Sequence, residues 1–265
     1  MTATSLQQTD LQSRFDEHGY VVARQVIDQA LVAEGREHVA WLMRRNPELR
    51  PESLGHTLLE HDPFWVRLIS DDRLLDVAQQ FIGPDIALFA SHYIAKPPRD
   101  GQPVLWHQDG SYWPLEPMSV VTLWLALDDS DAENGCMRVI PRTHTSTLQE
   151  MKPRNEVVNV LGSGMDDHFV DESLAQDIIL KAGDVSIHHP NIIHGSNANR
   201  SARWRRGLTI RYIPTSTRIT AMPFPSAFLL RGSARSGINQ YNPRPRFLPE
   251  EHLHFRGCER WNDAR

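Results

Sequence analysis

The spacing of hydrophobic residues changes near residue 86 and divides the chain into a helical part and a strand-rich part. Before this point, apolar residues recur at roughly helical spacing, at Leu31, Val32, Val39, Leu42 and Met43. This pattern predicts a helix from Asp28 to Arg45, which Asp28 can cap and Asn46-Pro47 can end. A second helix is predicted from Phe64 to Phe81. Residues 1–10 carry no such pattern, and we expect them to form a flexible tail.

After residue 86 the apolar residues alternate with polar ones or form short runs, as they do in β-strands. A short β-type run also precedes the first helix, at Tyr20–Ala23. We expect at least six strands after residue 86, in IALFASHYIAKPP (86–98), VLWHQD (104–109), SVVTLWLALDD (119–129), GCMRVIP (135–141), DIILKAGDVSIHH (177–189) and RWRRGLTIRYIP (203–214). The run at 119–129 is almost entirely apolar, which favours burial on both faces.

This order of elements predicts a single domain over residues 1–265. Helices followed by many strands indicate a mainly β barrel or sandwich that is buttressed by N-terminal helices. No internal repeat or linker composition interrupts the chain. Residues 216–265 are rich in Pro, Arg and Ser. We expect them to form a mostly irregular segment that packs over the core and can serve as a lid.

Two potential metal ligands, His107 and Asp109, lie two residues apart at the end of a predicted strand. Alternate side chains of a strand face the same side, so both would point into one cavity. An imidazole and a carboxylate are two parts of a 2-His-1-carboxylate site, which needs one more histidine. An HxD pair also arises by chance at protein surfaces, but the flanking Trp106, Tyr112 and Trp113 favour a cavity.

The favoured third ligand is His194, because Gly195 and Ser196 follow it and leave room and a hydroxyl beside a metal ion. It lies far enough from the HxD motif in the sequence to sit on the opposite wall of a barrel. His188 and His189 compete for this role. They precede a proline at a strand end, where structural histidines with satisfied hydrogen bonds are common, and we expect them to be of that kind.

A dicarboxylate cosubstrate at such a site would need a cation for its far carboxylate, and arginine supplies a bidentate fork. Arg205 lies eleven residues after the distal histidine, on a predicted strand. Arg205, Gly207, Thr209 and Arg211 share one face of that strand, but periodicity does not say which face points inward. Four further arginines could close over an anionic substrate group from the C-terminal segment, namely Arg231, Arg235, Arg244 and Arg246.

The composition is that of a soluble globular protein, with 40% hydrophobic and 23% charged residues. A net charge of −5 provides no basic surface for nucleic acid or an anionic membrane. The first residues lack the apolar run of a secretory signal, and no apolar segment approaches membrane-spanning length. The two cysteines favour a reducing compartment. We expect a cytoplasmic protein with a small-molecule partner and neither a nucleic-acid nor a membrane partner; the oligomeric state is left open.

Five segments together resemble the phytanoyl-CoA dioxygenase family of non-haem iron(II)- and 2-oxoglutarate-dependent oxygenases. They are, in order, WHQDGSYWPLEP, VTLWLALDD, ENGCMRVIPRTH, KAGDVSIHHPNIIHGSNANRS and WRRGLTIRYIP, and the resemblance covers about residues 12–215. It implies a double-stranded β-helix, a jelly roll of the cupin-like kind. It also implies a dioxygenase that uses Fe(II), 2-oxoglutarate and O2 to hydroxylate an unactivated C–H bond, with release of succinate and CO2.

The resemblance extends to individual residues. The iron ligands and catalytic residues that it implies are His107, Asp109 and His194. The residues that it implies for 2-oxoglutarate are Arg205, Ser196, Trp124 and His92, although His92 differs in type from the residue of the family. The candidates for the substrate wall, which directly follow the HxD motif, are Tyr112 and Trp113. Related halogenases have a small residue in place of the carboxylate, so Asp109 disfavours halogenation.

Two other functions are compatible with the same motif. A zinc hydrolase can use two histidines and one carboxylate, but it needs a positioned general base and no cosubstrate arginine. A catalytically silent β-helix could act as a ligand-binding module, but it has no need to keep the triad together with Arg205.

Overall fold

The computed structural model describes residues 3–262, with side-chain surroundings from residue 11 onward. Within this range the helices are α1 (Ala3–His18), α2 (Gln29–Arg45), α3 (Pro63–Ile69) and α4 (Asp72–Ile82). The strands are β1 (Tyr20–Ala23), β2 (Ile86–Tyr93), β3 (Val104–His107), β4 (Leu115–Glu116), β5 (Val121–Ala126), β6 (Met137–Val139), β7 (Lys152–Pro153), β8 (Ser163–Gly164), β9 (Gln176–Asp177), β10 (Val185–His188), β11 (His194–Ser196), β12 (Gly207–Pro214), β13 (Arg218–Ile219) and β14 (Phe228–Arg231).

Two antiparallel sheets form the body of the protein. The larger sheet has the order β1-β10-β5-β12-β2-β14, and the smaller one has the order β3-β11-β6-β9. Neighbouring strands in both sheets come from distant parts of the chain, as in a jelly roll. The predicted mainly β fold, a cupin-like double-stranded β-helix with flanking helices, is therefore confirmed.

The two faces of the larger sheet have different roles. Strand β12 alternates strictly, so that Leu208 and Ile210 lie in the main hydrophobic core with the helices, whereas Thr209 and Arg211 line a cavity on the other face. Every residue of β5 is buried, as predicted from its apolar run. The sequence did not show which face of β12 points into the cavity. Because the helices cover the face with Leu208 and Ile210, the face with Thr209 and Arg211 is the one that lines the cavity.

The predicted helices are present, with one difference. Helix α2 begins after Asp28, whose carboxylate accepts a hydrogen bond from the Leu31 amide (2.9 Å) and caps the helix. The predicted helix from Phe64 to Phe81 is instead two helices, because Asp71 caps α4 and starts a new helix there.

Residues 3–10 of the segment predicted to be a flexible tail belong to α1, and residues 1 and 2 lie outside the described range. The flexibility of this segment stays a prediction. The segment has no apolar periodicity, but it is free of Gly and Pro up to Gly19 and rich in residues with good helix propensity. Gly19 has a φ of +79°, and its amide donates to the Phe15 carbonyl (2.7 Å). This left-handed glycine ends the helix.

The C-terminal segment is mostly irregular, as predicted, with β13, β14 and one short 3-10 turn at Cys258–Trp261. It packs over the core, since Phe228, Phe247 and Phe255 belong to the main hydrophobic cluster. Strand β14, which extends the larger sheet beside β2, was not predicted. Among the residues described, no helix combines the length and the apolar character that crossing a membrane requires.

Candidate metal and cosubstrate site

The register between β3 and β11 brings together two histidines that are far apart in the sequence. His107 and His194 are direct cross-strand partners, and their ring centroids lie 4.1 Å apart. Side chains of paired residues in an antiparallel ladder lie on the same face and in contact. The register shifts between His194 and Ser196. The pairing of β3 with β11, rather than either sequence motif alone, therefore determines the position of the second imidazole.

Asp109 joins the two histidines because the chain stays extended through Gln108 (φ −118°, ψ 119°). The fully buried Gln108 side chain points the other way, where its amide donates to the Asn191 carbonyl (2.7 Å) and its oxygen accepts from the Gln149 amide (2.9 Å). A Cβ at Gly110 would lie 2.8 Å from Asn191 Oδ1. A glycine is therefore needed for the close approach of this turn to the loop before β11.

The three side chains fit a metal ion. Their donor atoms lie within 4.8 Å of one another, and all three residues are buried. His107 Nδ1 lies 2.8 Å from the Leu105 carbonyl, and His194 Nδ1 lies 3.0 Å from the Ile192 carbonyl. Each Nδ1 must carry the proton that it donates, so both Nε2 lone pairs face the cavity. Asp109 Oδ2 is buried without a hydrogen-bond partner, and a bound cation would satisfy this oxygen.

The charge states suit metal binding. Burial and the nearby His107 lower the pKa of His194 well below its ordinary value, so that its imidazole is neutral at physiological pH. Burial raises the pKa of Asp109, but Arg211 and the surrounding imidazoles outweigh it, and the net pKa lies well below the ordinary value. A neutral imidazole and a charged carboxylate are the forms in which these groups bind metals.

His188 lies beside the triad, contrary to the expectation that it is a structural histidine with satisfied hydrogen bonds. Its Nε2 is 3.7 Å from Asp109 Oδ2, and neither ring nitrogen has a hydrogen-bond partner. His188 lies beside the triad because it is the last residue of β10 and its side chain faces the cavity. His189 does match the expectation, since its Nδ1 accepts from the Asn191 amide (3.1 Å) outside the cavity.

Arg205 lines the same cavity and is only 1% exposed. Its Nε and one terminal nitrogen have no hydrogen-bond partner, and burial lowers its pKa to about 10. Its guanidinium stacks on the Trp124 ring at 5.0 Å. A Cβ at Gly207 would lie 2.0 Å from Trp124, so the glycine makes room for the ring. Two donors of a fixed guanidinium therefore remain free for an anion.

Ser196 lies next to this arginine in the cavity wall, and its hydroxyl accepts a hydrogen bond from Lys96 Nζ (2.7 Å). Lys96 was missed by the sequence reasoning. It is fully buried, and burial together with Arg205 lowers the pKa of its amine well below the ordinary value. A lysine before two prolines at a strand end carries no signal of its own, and only the β-bridge between Lys96 and Arg205 brings it here.

His92 is not among the residues that line the cavity, and its predicted contact with the cosubstrate stays a prediction. Its Nδ1 accepts a hydrogen bond from Arg211 (2.7 Å), and its ring stacks on His56 with centroids 5.0 Å apart. Burial and Arg211 lower the pKa of His92 well below the ordinary value. It is therefore a neutral acceptor that holds Arg211 in place.

The remaining candidates lie at the edge of the cavity, whose empty space out to the solvent is about 480 Å³. Tyr112 is 42% exposed, and its hydroxyl is hydrogen-bonded to Ser163 (2.7 Å). Trp113 is partly buried, and Arg211 stacks on its ring at 5.2 Å. Leu161, from the loop between β7 and β8, also lines the cavity. The roles of Tyr112 and Trp113 in substrate binding stay predictions.

The arginines of the C-terminal segment are engaged elsewhere. Arg231 forms ion pairs with Asp72 and Asp76 of α4, Arg244 stacks on Trp261, and Arg246 Nε donates to the Asn262 carbonyl (2.8 Å). None of these three lines the cavity, and the prediction that they close over the substrate stays a prediction. Arg235 does not line the cavity either, and neither does any other described residue from 216 onward, so the lid role of this segment stays a prediction.

Comparisons with known proteins agree with this geometry. A protein of Stutzerimonas stutzeri named "Probable alpha-ketoglutarate-dependent hypophosphite dioxygenase" is 30% identical over 147 residues, which cover 55% of this chain and 51% of that protein. The peroxisomal phytanoyl-CoA dioxygenase of Bos taurus is 27% identical over 227 residues, which cover 75% and 66%. The matched regions thus span about half to two thirds of these relatives.

A solved structure described as the non-heme monooxygenase ThoJ in its apo form superposes with a TM-score of 0.76. It is 24% identical and covers 89% of this chain and 88% of that one, which shows a shared fold. The model of the family described as phytanoyl-CoA dioxygenase matches residues 15–207. Since this match includes well over half of the sequence, the chain belongs to the phytanoyl-CoA dioxygenase (PhyH) family.

Proposed function

We propose that this protein is an Fe(II)- and 2-oxoglutarate-dependent dioxygenase that hydroxylates a C–H bond of a small molecule. The observation that carries the proposal is the convergence of two imidazole nitrogens and one carboxylate, with the free donors of Arg205 in the same cavity. When bound, iron, 2-oxoglutarate and O2 together supply the oxidising chemistry: one oxygen atom enters the substrate as a hydroxyl, the other enters succinate, and CO2 is released.

The residues of the chain bind and orient the reactants. His107, Asp109 and His194 would hold Fe(II) on one face, which leaves the other positions open. Arg205 would bind the far carboxylate of 2-oxoglutarate through two parallel hydrogen bonds. The Ser196 hydroxyl, which accepts a hydrogen bond from Lys96, lines the same cavity and would lie beside that carboxylate. A fixed guanidinium with a hydroxyl in the same cavity suits the far carboxylate of a dicarboxylate cosubstrate.

The rest of the cavity keeps water away from the reacting centre. Trp124 covers the guanidinium of Arg205, and Ile94, Val104 and Met137 add apolar surface to the lining. Exclusion of water strengthens the electrostatic contacts of the cosubstrate and limits side reactions. The carboxylate at Asp109 occupies the position that a chloride would need, so we infer hydroxylation rather than halogenation.

The names of the relatives support a small-molecule substrate of anionic character. One is named for hypophosphite, itself an anion, and several others for phytanoyl-CoA, whose CoA portion carries phosphates. The buried arginines favour oxidation with 2-oxoglutarate over the zinc hydrolase, which has no use for a cosubstrate cation. We also propose that the protein is cytoplasmic.

The test is the formation of succinate by purified protein loaded anaerobically with Fe(II) and then given 2-oxoglutarate and O2. We expect slow formation without a substrate, which stops when iron is removed and is abolished in Asp109→Ala because the site loses its only negative ligand. Asp167→Ala, at an exposed carboxylate, is the matched control and should behave like the wild type. Succinate at equal rates in Asp109→Ala, or none in any form, would contradict the proposal. Hydrolytic activity without O2 would favour the zinc enzyme.

A further inference from the structure

A second buried arginine lies on β12, six residues after Arg205 and in a different part of the cavity. Arg211 is 8% exposed. One terminal nitrogen donates to His92 Nδ1 (2.7 Å) and to Thr209 Oγ1 (3.0 Å), and the guanidinium stacks on Trp113. These contacts fix the group in one orientation. Its Nε has no hydrogen-bond partner, and its other terminal nitrogen lies 3.8 Å from Asp109 Oδ1, beyond hydrogen-bonding distance.

Arg211 is too far from Arg205 to serve the same carboxylate. The two residues are six positions apart on an extended strand, which places their Cα atoms roughly 20 Å apart. Both line the cavity that contains the triad. A five-carbon diacid whose far carboxylate pairs with Arg205 cannot bring that same carboxylate to Arg211, although its metal-binding end comes close to the Asp109 side of Arg211. The far carboxylate therefore leaves the second guanidinium available for another anionic group.

The balance of charge in the cavity requires such a ligand. In the metal-free protein Asp109 is the nearest anion to Arg211. A divalent ion bound by Asp109 would take up that negative charge. The ion and the two guanidinium groups would then bring four positive charges, against three from Asp109 and 2-oxoglutarate, and any charge on Lys96 would increase the excess. An uncompensated buried charge is strongly unfavourable, and one anionic group beside Arg211 would neutralise it.

We propose that Arg211 binds an oxyanion of the substrate, a carboxylate or a phosphoryl group, on the Trp113 side of the metal ligands. This inference rests on the proposed function and names its substrate class. The Nε and the second terminal nitrogen are the two donors on one edge of the guanidinium, the edge that receives an oxyanion in a bidentate pair. The Trp113 ring, which packs against Phe89, offers an apolar surface for the carbon skeleton next to it.

The test uses inorganic phosphate and acetate as minimal oxyanion probes. Protein loaded with Mn(II) and saturated with 2-oxoglutarate under anaerobic conditions is titrated with each probe, and binding is followed by calorimetry. Saturation with 2-oxoglutarate keeps the probes away from Arg205. We expect one of the probes to bind the wild type and to bind Arg211→Gln about tenfold or more weakly, because a charge-assisted pair is lost. Arg211→Lys should recover part of the loss.

Three outcomes separate the possibilities. If neither probe binds the wild type, or if Arg211→Gln binds the probe as well as the wild type does, the inference is wrong. If Arg211→Gln weakens Mn(II) or 2-oxoglutarate as much as it weakens the probe, Arg211 acts on Asp109 instead, and the inference is also wrong. If the wild type does not bind 2-oxoglutarate at all, the proposed function itself fails. Arg218→Gln, at an exposed arginine on β13, is the matched control.

Discussion

Replacement of Arg205 by methionine should stabilise the metal-free protein and at the same time remove cosubstrate binding. The guanidinium is buried with two donors unpaired, and burial lowers its pKa from 12.5 to about 10. A lowered pKa of a basic group means that folding disfavours its charged form, and this penalty is present in full at every pH below 10. The shift corresponds to about 3 kcal/mol.

Methionine fills a similar apolar volume but gives up the stacking on Trp124, which is worth about 1–2 kcal/mol for a desolvated cation. The net gain in the free energy of unfolding is then about 1–2 kcal/mol, which raises the Tm of the metal-free protein by roughly 2–6 °C. The affinity for 2-oxoglutarate should change in the opposite direction. Loss of one partner of a buried, bidentate charge pair costs about 2–5 kcal/mol, or a weakening of roughly 30- to 4000-fold.

Two measurements check this pairing of effects: thermal unfolding of the metal-free protein and calorimetric titration of the Mn(II)-loaded protein with 2-oxoglutarate. Arg206→Met is the matched control, because Arg206 pairs with Asp128 (2.7 Å) on the opposite face of the sheet. It should lower the Tm and leave the 2-oxoglutarate affinity unchanged. If Arg205→Met lowers the Tm as Arg206→Met does and binds 2-oxoglutarate normally, Arg205 is a structural residue and the reasoning is refuted.

Two further predictions concern the support of the site and the buried core. Gly207→Ala places a Cβ 2.0 Å from the Trp124 ring, so the ring must move. We expect the free energy of unfolding to fall by about 1–3 kcal/mol and the affinity for 2-oxoglutarate to fall as well. An unchanged Tm would contradict this expectation. Asp62 accepts hydrogen bonds from His38 and the Trp65 amide (both 2.8 Å). Burial alone would raise the pKa of Asp62, but the interaction with His38 outweighs this effect. The folded-state pKa therefore lies below the ordinary 3.8. Its stabilisation is therefore complete above pH 3.8 and is lost as the pH falls through the folded-state pKa. The difference in unfolding free energy between the wild type and Asp62→Asn, measured by urea denaturation at several pH values, should shrink below pH 3.8, and a constant difference would speak against an ionised Asp62.

The features that the sequence predicted correctly are those in which neighbouring residues decide the outcome. The apolar run of β5 fixed a strand buried on both faces, and Asp28 marked the start of α2. The alternation of a strand was enough to put His107 and Asp109 on the same side, because the chain remains extended through Gln108. The HxD motif thus identified two of the three residues of the candidate metal site.

The features that were missed depend on pairing between distant segments. Lys96 and His188 enter the site through the bridge to Arg205 and the pairing of β10 with β5, which no local pattern encodes. The inward face of β12 was ambiguous because arginines occur on both faces, and only the packing of the helices on Leu208 and Ile210 decides it. The contact between His92 and Arg211 was not predicted for a related reason, since Arg211 comes from β12.

The central claim is tested most directly by a crystal structure of the protein with Mn(II) and 2-oxoglutarate, prepared without O2. The account predicts an anomalous peak bonded to His107, Asp109 and His194. It also predicts that the far carboxylate of 2-oxoglutarate pairs with Arg205 while Arg211 remains free of it. A metal ion that binds elsewhere, or a cosubstrate whose far carboxylate lies on Arg211, would contradict the account.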